Sequence, residues 1–423
     1  FTQRTVTHPT ASISLMTLDD FAFLLSPDGQ QWLADVGKTA VTPQTHLQIA
    51  TWLRQKLPPN QAQAVLETVV LRQQATIKFS RAAQMYFTRP ALEQASGKMI
   101  AQHRARRFQL LSSQQGGNLR IADLGCGIGG DALALAAEAE VTGVEWEPLR
   151  LAMAQENVRV YGHGERFHPL QADLYSLTPL REVDALFFDP ARRDAQGRRF
   201  FSMAQYRPPL SLIDQWRAVV PETAVKISPG VDYAELPDGA EVEFVSVNGE
   251  VKEGVLWYGR FRSGDQRRAT LLPGGDSLTT ADLPQETIDC TPPKAYLYEP
   301  DGAVIRAHLV AALAAKLPAN QIDASIAYLT ADEAIQTPFA RCFAVEAHFP
   351  FQLKKLRHYL RERRVGNVTI KKRGSPIEPD MLRRQLRLSG TKNSHRFIFL
   401  THVLGEPFVI ISTEELWARK NEV

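Results

Sequence analysis

Residues 119–131 read LRIADLGCGIGGD, an apolar segment that runs into closely spaced glycines and then into an alanine-rich stretch. The pattern predicts a β-strand, a tight turn and a helix. Glycine suits such a turn because a side chain would keep the backbone away from a ligand, and because a sharp strand-to-helix turn often needs a positive φ. A parallel sheet usually holds its cofactor at this position, so the segment predicts a nucleoside site.

Two glycine patterns overlap here, and they favour different nucleosides. Gly125, Gly127 and Gly130 satisfy the dinucleotide pattern G-x-G-x-x-G, which is a weak signal by itself. Asp123 and the glycines at 125, 127 and 129 satisfy acidic-x-G-x-G-x-G. A pyrophosphate needs helix N–H groups without a fixed anion beside them, whereas the ammonium of an amino-acid tail can pair with a carboxylate. Asp123 therefore favours a nucleoside that carries an amino-acid tail.

Further acidic residues follow three more predicted strands. Glu145 ends the strand 141–145 and could accept hydrogen bonds from both ribose hydroxyls, which fits either nucleoside. Asp173 lies at the end of a third strand and Asp189 at the end of a fourth, 185–188. Because the carboxyl ends of parallel strands meet at one edge of the sheet, the four acids are expected to lie together.

This order resembles the class I S-adenosylmethionine-dependent methyltransferases over roughly residues 80–262, with 123–129 as the first motif and 189–192 as the fourth. The resemblance implies an α/β fold with a Rossmann-like sheet, and S-adenosylmethionine as cofactor. It implies that Asp123, Gly125, Gly127 and Gly129 hold the methionine part of the cofactor and that Glu145 holds the ribose. It also implies that Asp173, with Leu174, lies beside the adenine and that Asp189 lies beside the methyl group. Alternatives stay open: Asp173 could cap a helix, Glu145 could be a solvated strand end, and Asp131 is expected to be an N-terminal helix charge.

The fourth motif, Asp189-Pro190-Ala191-Arg192, matches the amino-group methyltransferases only in its first half. In them the acid and a backbone carbonyl accept the protons of the target amine, and an aromatic residue stacks on the base. The resemblance thus implies Asp189 and Pro190 as catalytic residues. The ring is missing from the motif, so a base nitrogen as target is a hypothesis. Arg192 or Arg193 could stack on a base or bind a phosphate, while three aromatic residues could supply the ring or pack in the core: Phe200, Phe201 and Tyr206.

Cys126 is not expected to be a covalent nucleophile of pyrimidine C5 methylation. It lies inside the glycine turn, where it would face the cofactor, and no Pro-Cys pair ends the fourth strand.

The chain before the glycine turn is predicted to be helical. Apolar residues follow helical spacing in 61–77, and helices are also expected over 47–53 and 92–100, with a break at 58–60. Thr88 is a candidate helix N-cap. It also resembles a residue of some amino-group methyltransferases, in which a Phe-Thr-x-Pro-like segment contacts the carboxylate of the cofactor, so both roles are kept.

After the fourth strand, 224–230 predicts a fifth strand with a turn, and 241–247 and 254–259 predict a hairpin closed through Asn248-Gly249-Glu250. An antiparallel finish is typical of the methyltransferase arrangement and speaks against a dehydrogenase. Residues 267–293 are expected to be a turn-rich connector and 303–317 an amphipathic helix. The last segment predicts a small α+β layer, with strands at 343–349, 367–373, 395–401 and 407–412 and helices at 351–364 and 379–387.

The net charge of +3 conceals an uneven distribution. Residues 350–400 hold fourteen Lys and Arg against three Asp and Glu, a surplus that predicts a polyanion-binding surface rather than a solvated helix face. The segments 349–356 and 367–374 resemble the THUMP-like domain of a group of bacterial RNA methyltransferases, which implies a structured RNA such as tRNA or rRNA as partner. The candidate RNA-binding residues are Lys354, Lys355, Arg357, Arg361, Lys371, Lys372 and Arg373.

Length and composition bound the remaining expectations. A chain of 423 residues with 44% hydrophobic residues can fill two to four domains. The predicted ranges are an N-terminal helical domain, a methyltransferase domain, a connector with a strand and a helix, and a THUMP-like domain: 1–108, 109–262, 263–335 and 336–423. The three cysteines are too few and too dispersed to predict a zinc site or a disulfide framework, which favours the reducing cytoplasm as the compartment. The sequence contains neither an apolar run long enough for a membrane span nor the hydrophobic core of a signal peptide at its N-terminus.

Two classes of function remain open. The first is S-adenosylmethionine-dependent methyl transfer to RNA, at a base nitrogen in its finer form. The second is a non-catalytic RNA-binding protein on a methyltransferase scaffold, because fold does not fix activity. A DNA or protein methyltransferase is a further alternative. The sequence does not predict an oligomeric state.

Overall fold

The computed structural model describes residues 16–191 and 202–417 and divides into two compact units. One consists of the described residues up to Ala240 together with Gly254–Ser263, and the other of Glu241–Glu253 with the described residues from Gly264 onward. The four domain ranges expected from the sequence stay a prediction. Within 16–191 and 202–417, no helix is both long enough and apolar enough to cross a bilayer.

The first unit begins with helices, as predicted. Their apolar stripes form one core, to which the 61–77 periodicity contributes Val65, Leu66 and Val69. The break at 58–60 is confirmed, because α4 begins at Pro59. The helix predicted over 92–100 is wrong as one element, since an extended residue, Ala95, ends it and a second helix begins at Lys98. The helices are α1 Leu18–Leu25, α2 Pro27–Gly37, α3 Pro43–Arg54, α4 Pro59–Ala75, α5 Arg89–Gln94 and α6 Lys98–Gln115.

A parallel sheet follows in the same unit, in the order β3-β2-β1-β4-β5. Residues 254–257 of strand β7 then pair antiparallel with β5, as the sequence predicted for this finish. Strand β1 has β2 on one side and β4 on the other, so the order in which successive strands are added reverses at β1, although the strands stay parallel. Such sheets open a ligand crevice at their carboxyl edge beside this point. The elements are β1 Arg120–Leu124, α7 Ala132–Leu135, β2 Glu140–Glu145, α8 Pro148–Val160, β3 Phe167–Gln171, β4 Ala185–Phe188, α9 Leu210–Arg217 and β5 Thr223–Ile227.

The second unit opens with the predicted hairpin turn. Asn248 and Gly249 both have positive φ, 52° and 87°, as a two-residue hairpin turn requires. The connector expected over 267–293 is partly wrong, because its first half forms two paired strands whose inward residues Ala269, Leu271 and Leu278 are buried. The strands are β6 Glu241–Val247, β7 Glu250–Trp257, β8 Arg267–Leu272 and β9 Asp276–Thr279.

The rest of this unit is a seven-stranded sheet in the order β11-β12-β10-β13-β16-β15-β14, with helices α12 and α13 packed against β14, so the predicted α+β layer is confirmed. The helix predicted over 303–317 is wrong as one element, because the chain breaks at His308, whose φ is 54°. The elements are β10 Tyr296–Pro300, α10 Gly302–Arg306, α11 Val310–Lys316, β11 Asn320–Asp323, β12 Ile326–Ala331, β13 Ala340–Pro350, α12 Leu353–Glu362, β14 Val365–Lys372, α13 Pro379–Leu386, β15 Thr391–Val403 and β16 Glu406–Leu416.

Candidate active site

The four acids expected at one sheet edge follow parallel strands. Asp123 is the fourth residue of β1, and Glu145 is the last residue of β2. Asp189 follows β4 directly, and Asp173 lies two residues beyond β3. Because β1 to β4 are parallel, all four acids lie at the carboxyl edge of the sheet, beside the reversal at β1.

The glycine turn between β1 and α7 is built from left-handed backbone. Gly125, Gly127 and Gly129 have φ of 82°, 57° and 82°, a region that side chains disfavour. A Cβ added at Gly127 would meet no atom within 4 Å in the described part of the chain, so its backbone borders open space. Gly130 has a different role, because its added Cβ would lie 3.3 Å from Cβ of Ala95, in the link between α5 and α6.

Asp123 is the buried carboxylate of this turn. Its side chain belongs to a residue only 1% exposed, and among residues 16–191 and 202–417 nothing donates a hydrogen bond to its Oδ2. Burial, with the charge of Asp189 as a second cause, raises its pKa to about 7. A buried carboxylate oxygen without a donor is costly, and an ammonium group of a ligand would remove that cost. The residues therefore fit the amino-acid tail of S-adenosylmethionine.

Glu145 is held by the backbone on both oxygens. Its Oε2 accepts a hydrogen bond from the N–H of Gly127 at 3.1 Å, and its Oε1 accepts one from the N–H of Glu147 at 3.0 Å. The residue is 5% exposed, and burial raises its pKa. It is thus not a solvated strand end. Each carboxylate oxygen has a second lone pair, which leaves capacity to accept from a ribose hydroxyl.

The remaining predicted cofactor residues have local structural roles as well. Oδ1 of Asp173 accepts a hydrogen bond from the N–H of Tyr175 at 3.0 Å. The backbone carbonyl of Asp173 accepts from the N–H groups of Ser176 and Leu177, so Asp173 closes a turn. Leu174 beside it is buried. Thr88 is the N-cap of α5, where its Oγ1 accepts from the N–H of Ala91 at 3.4 Å. The capping prediction for Thr88 is confirmed, and the contacts of these residues with a cofactor stay predictions.

A lysine that the sequence analysis did not single out contacts the fourth acid. Nζ of Lys226, on β5, lies 2.6 Å from Oδ2 of Asp189 and donates a second hydrogen bond to Oγ of Ser96 at 3.1 Å. Pro190, next to Asp189, is buried. The available signal was a single charged residue, a lysine, within the short strand Thr223–Ile227. All five residues of this strand are buried. A buried lysine requires acceptors, and a search for them would have led to the strand-end acids.

Asp131 lies at the N-terminus of α7, as expected, and its side chain has further partners. It makes no side-chain cap to α7. Instead it is 8% exposed, accepts a hydrogen bond from Oγ of Ser96 at 2.9 Å and forms an ion pair with the guanidinium of Arg104. Arg104 comes from α6 and lies over the ring of Phe187, 4.4 Å from its centroid. The prediction of an N-terminal helix charge is therefore confirmed in position, because Asp131 is the N-cap residue of α7, and its carboxylate also pairs with a buried arginine that the sequence did not indicate.

The missing aromatic ring is not supplied by Tyr206. This residue is 1% exposed, and its hydroxyl accepts a hydrogen bond from the N–H of Ser228 at 2.8 Å, so its ring is fixed in the core. The other candidates, Arg192, Arg193, Phe200 and Phe201, lie outside the described residues. Cys126 is buried, and burial raises the pKa of its thiol well above the usual range, which is unfavourable for a nucleophile.

The structure divides the predicted RNA-binding residues into two groups. Lys354, Lys355 and Arg361 are exposed on α12, and the Lys355 ammonium also lies 4.5 Å from the ring centroid of Phe349. The other four make contacts within the protein: Arg357 donates to the carbonyl of Gln385 at 2.6 Å, Lys371 pairs with Glu299, Lys372 pairs with Glu378, and Arg373 lies 4.9 Å from the ring centroid of Tyr328.

The surplus of positive charge in 350–400 therefore has partners that the sequence count did not include. Glu299, on β10, neutralises Lys371, and Glu346, on β13, pairs with Arg363 at 3.1 Å and with Arg396. Both acids precede residue 350 in the sequence, and the fold brings them into contact with these cations. The exposed cations of α12 remain as the candidate polyanion surface.

Three family models match the chain. RNA cap guanine-N2 methyltransferase matches residues 119–194, which contain the glycine turn and the Asp189-Pro190 pair. THUMP domain-like matches residues 340–414, which run from β13 into β16. A domain of unknown function matches residues 17–75, in the N-terminal helices.

Relatives and solved structures agree with these matches. Two proteins of Mycobacterium tuberculosis, from strains CDC 1551 and H37Rv, are 36% identical over 345 residues, which is 78% of this chain and 90% of each relative; both are named as S-adenosylmethionine-dependent methyltransferases. The 23S rRNA (uracil(1939)-C(5))-methyltransferase RlmD of Shewanella sediminis is 45% identical over 82 residues, 18% of this chain and 19% of that protein. A methyltransferase structure from Porphyromonas gingivalis W83 has a TM-score of 0.70 at 20% identity and covers 89% of this chain and 100% of its own.

Proposed function

Because this chain belongs to the S-adenosylmethionine-dependent methyltransferases, we propose that its substrate is RNA and that the acceptor atom is a base nitrogen. The carboxylate pair Asp123 and Asp189 carries the proposal. One lies beside the glycine turn with an oxygen that lacks a donor among the described residues, and the other lies one strand away with about a quarter of its side chain exposed. The loss of either acid would have favoured a non-catalytic scaffold, and both are present.

We assign the binding roles as follows. Asp123 would hold the ammonium of the cofactor, with its carboxylate in the ionised form. The backbone of Gly125, Gly127 and Gly129 would lie along the methionine part, with Gly127 bordering open space. The preorganised carboxylate of Glu145 would accept hydrogen bonds from the ribose. Asp173, with Leu174, would border the adenine, and Thr88 would lie near the cofactor carboxylate. When bound, S-adenosylmethionine supplies an electrophilic methyl group on a sulfonium.

Asp189 would act on the acceptor. A carboxylate that accepts an N–H of the target amine orients the nitrogen lone pair toward the methyl carbon, and such orientation accounts for much of the rate in an in-line transfer. As the new N–C bond forms, the bond between the methyl group and sulfur would break, its electron pair would stay on the sulfur of S-adenosylhomocysteine, and the amine proton would pass to Asp189 or to solvent. Pro190 is buried beside it and restricts the backbone that carries this carboxylate.

A nitrogen acceptor is favoured over a pyrimidine carbon. Methylation at C5 needs a thiolate that adds to the ring, and the cysteine close to this site, Cys126, is buried with a raised pKa and lies within the glycine turn. Pro190 is followed by Ala191, so the Pro-Cys pair that would supply such a thiolate after the fourth strand is missing. The match to a guanine-N2 family over 119–194 supports the same choice.

RNA is favoured as substrate by the second unit. Its THUMP-like match covers 340–414, and within it Lys354, Lys355 and Arg361 expose cations on one helix. Exposed cations on a folded helix can contact phosphates with release of counterions, and an RNA fold can be recognised by shape.

The test is methyl transfer from S-[methyl-³H]adenosylmethionine to three separate fractions, RNA, DNA and protein, from cells that lack the gene. We expect label in RNA, and nuclease digestion followed by chromatography to place it on a base nitrogen. Label in DNA or protein alone would overturn the choice of substrate. Label on C5 of a pyrimidine or on ribose would overturn the choice of atom.

A further inference from the structure

We infer that Lys226 is a positioning residue of the methyl-transfer site: it fixes the carboxylate of Asp189 and is itself fixed by Ser96. The inference rests on the proposed function, because it takes Asp189 as the group that meets the acceptor. Lys226 does not itself reach a substrate in this arrangement. Its side chain is 5% exposed, whereas that of Asp189 is 24% exposed, so a ligand can touch Asp189 while Lys226 acts from behind it.

The position of Lys226 is set by β5. All five residues of Thr223–Ile227 are buried, so the ammonium is brought into the interior with the strand. A buried ammonium must be paired and hydrogen-bonded to be stable. Asp189 supplies the charge partner at 2.6 Å and Ser96 supplies a hydroxyl acceptor at 3.1 Å. Two acceptors on different segments restrict the rotamers of the lysine side chain far more than one would.

Ser96 is placed by the link between α5 and α6, which packs on the glycine turn. A Cβ at Gly130 would lie 3.3 Å from Cβ of Ala95 and 3.5 Å from the N of Ser96, so glycine at 130 permits this approach. The hydroxyl of Ser96 accepts from Lys226 and donates to Oδ2 of Asp131 at 2.9 Å. The contacts therefore continue from the acceptor site into the helices.

Arg104 extends this chain of contacts into α6. It is 1% exposed on α6 and pairs with Asp131. Two ion pairs, Arg104 with Asp131 and Lys226 with Asp189, are joined by the neutral hydroxyl of Ser96, so each of these charges has an opposite neighbour. The arrangement joins α6, the glycine turn, β5 and the end of β4, and a shift of α6 would be transmitted to Asp189.

The charges also matter for Asp123. The charge of Asp189 raises the pKa of Asp123, whereas the charges of Arg104 and Lys226 lower it. Two carboxylates at one crevice repel each other, and Lys226 is the cation in contact with one of them. Without Lys226, Asp189 would lose the ion pair that fixes its carboxylate from β5.

The test uses the full chain and compares Lys226→Met, Lys226→Arg, Asp189→Asn and the double variant of Lys226→Met with Asp189→Asn. We expect Lys226→Met to lower kcat for RNA methylation by about 10- to 100-fold, the rate equivalent of one charge-assisted hydrogen bond. At about pH 9, where Asp123 is ionised, its KM for RNA and its Kd for S-adenosylhomocysteine should stay within about threefold of the wild-type values, because Lys226 is proposed to contact neither ligand. Lys226→Arg should recover part of kcat.

The double variant separates positioning from a merely structural role. If Lys226 acts through Asp189, the double variant is no slower than Asp189→Asn alone, whereas an independent structural defect would multiply the two losses. Thr223→Val is the matched control, because Thr223 lies at the opposite end of β5 from the Asp189 contact. The substitution removes a buried hydroxyl that donates to the carbonyl of Val220. It should lower the melting temperature and leave kcat unchanged.

Should Lys226→Met fail to fold, Ser96→Ala and Lys226→Arg carry the test. Ser96→Ala removes one of the two acceptors of Lys226 and is expected to lower kcat by about 3- to 10-fold with Kd unchanged. Wild-type kcat in the lysine or serine variants, or multiplicative losses in the double variant, would overturn the inference alone. Absence of RNA methylation by the wild-type protein would overturn the proposed function, and this inference with it.

Discussion

The backbone N–H of Gly127 donates a hydrogen bond to Oε2 of Glu145 at 3.1 Å, and so joins the glycine turn after β1 to the end of β2. This hydrogen bond holds the carboxylate of Glu145 in a fixed position beside the backbone of the glycine turn. Gly127 can take this position because its φ is 57° and because no described atom lies within 4 Å of where its Cβ would be. The restriction at 127 is therefore conformational rather than steric.

Replacement of that glycine should weaken cofactor binding. Gly127→Ala forces an alanine into left-handed backbone, which costs about 1–2 kcal/mol, so Kd for S-adenosylhomocysteine is expected to rise about tenfold or more. Isothermal calorimetry measures it. Gly37→Ala is the control, since Gly37 ends α2 with negative φ and open space, and its Kd should match that of the wild type. Equal affinities for both variants would contradict the role of the turn.

Asp123 predicts a pH dependence of the free protein. Its folded pKa of about 7 lies above the unfolded value near 3.8, so its contribution favours folding at low pH and is lost as the pH rises from about 4 to about 7. At pH 8 Asp123→Asn should therefore raise the melting temperature of the ligand-free protein, and at pH 4 it should change it little. Asp184→Asn, at the opposite end of β4, should not reproduce this pattern.

The same carboxylate predicts a proton released on binding. If Asp123 pairs with the cofactor ammonium, binding at pH 6 should ionise it, because the ammonium favours the charged form. Calorimetry of S-adenosylhomocysteine binding in two buffers of different ionisation enthalpy gives the number of protons. We expect a release approaching one in the wild type and close to none in Asp123→Asn. A release that persists in the variant would assign the proton to another group.

Asp189 is predicted to be needed for transfer and dispensable for cofactor binding. Asp189→Ala should abolish measurable methyl transfer while the Kd for S-adenosylhomocysteine changes by less than about threefold, because its carboxylate meets the acceptor rather than the amino-acid tail. Filter assays with labelled cofactor measure transfer, and calorimetry measures Kd. Persistent transfer by Asp189→Ala would mean that the acceptor site lies elsewhere.

The basic residues of the second unit should separate by function. Lys354→Ala combined with Arg361→Ala removes two exposed cations, and is expected to weaken RNA binding and to reduce the slope of log K against log salt by about 1.4–1.8. Lys371→Ala should instead lower the melting temperature, because it leaves Glu299 without a close cation partner on β14. An unchanged salt slope in the double alanine variant would exclude α12 from the RNA surface.

Much of this molecule could be predicted from local sequence. The strands and turn around 119–131, the helical start, the hairpin at Asn248-Gly249 and the final α+β layer all follow from period, glycine and apolar runs, which act between near neighbours. Three elements differ from the sequence prediction. The helices over 92–100 and 303–317 are interrupted at Ala95 and His308, and 267–272 forms a strand because β6, distant in the local pattern, lies beside it.

The sequence by itself determined the glycine turn and the acids at the strand ends, because four parallel strands carry their last residues to one edge whatever the helices do. Only the tertiary structure decided which charges meet. Lys226 reaches Asp189 across 37 residues of chain and Ser96 across 130, and Asp131, at the N-terminus of α7, is paired by Arg104 of α6. Coulomb and hydrogen-bond energies depend on distance in space, and the burial that makes these contacts strong exists only once the fold has excluded water.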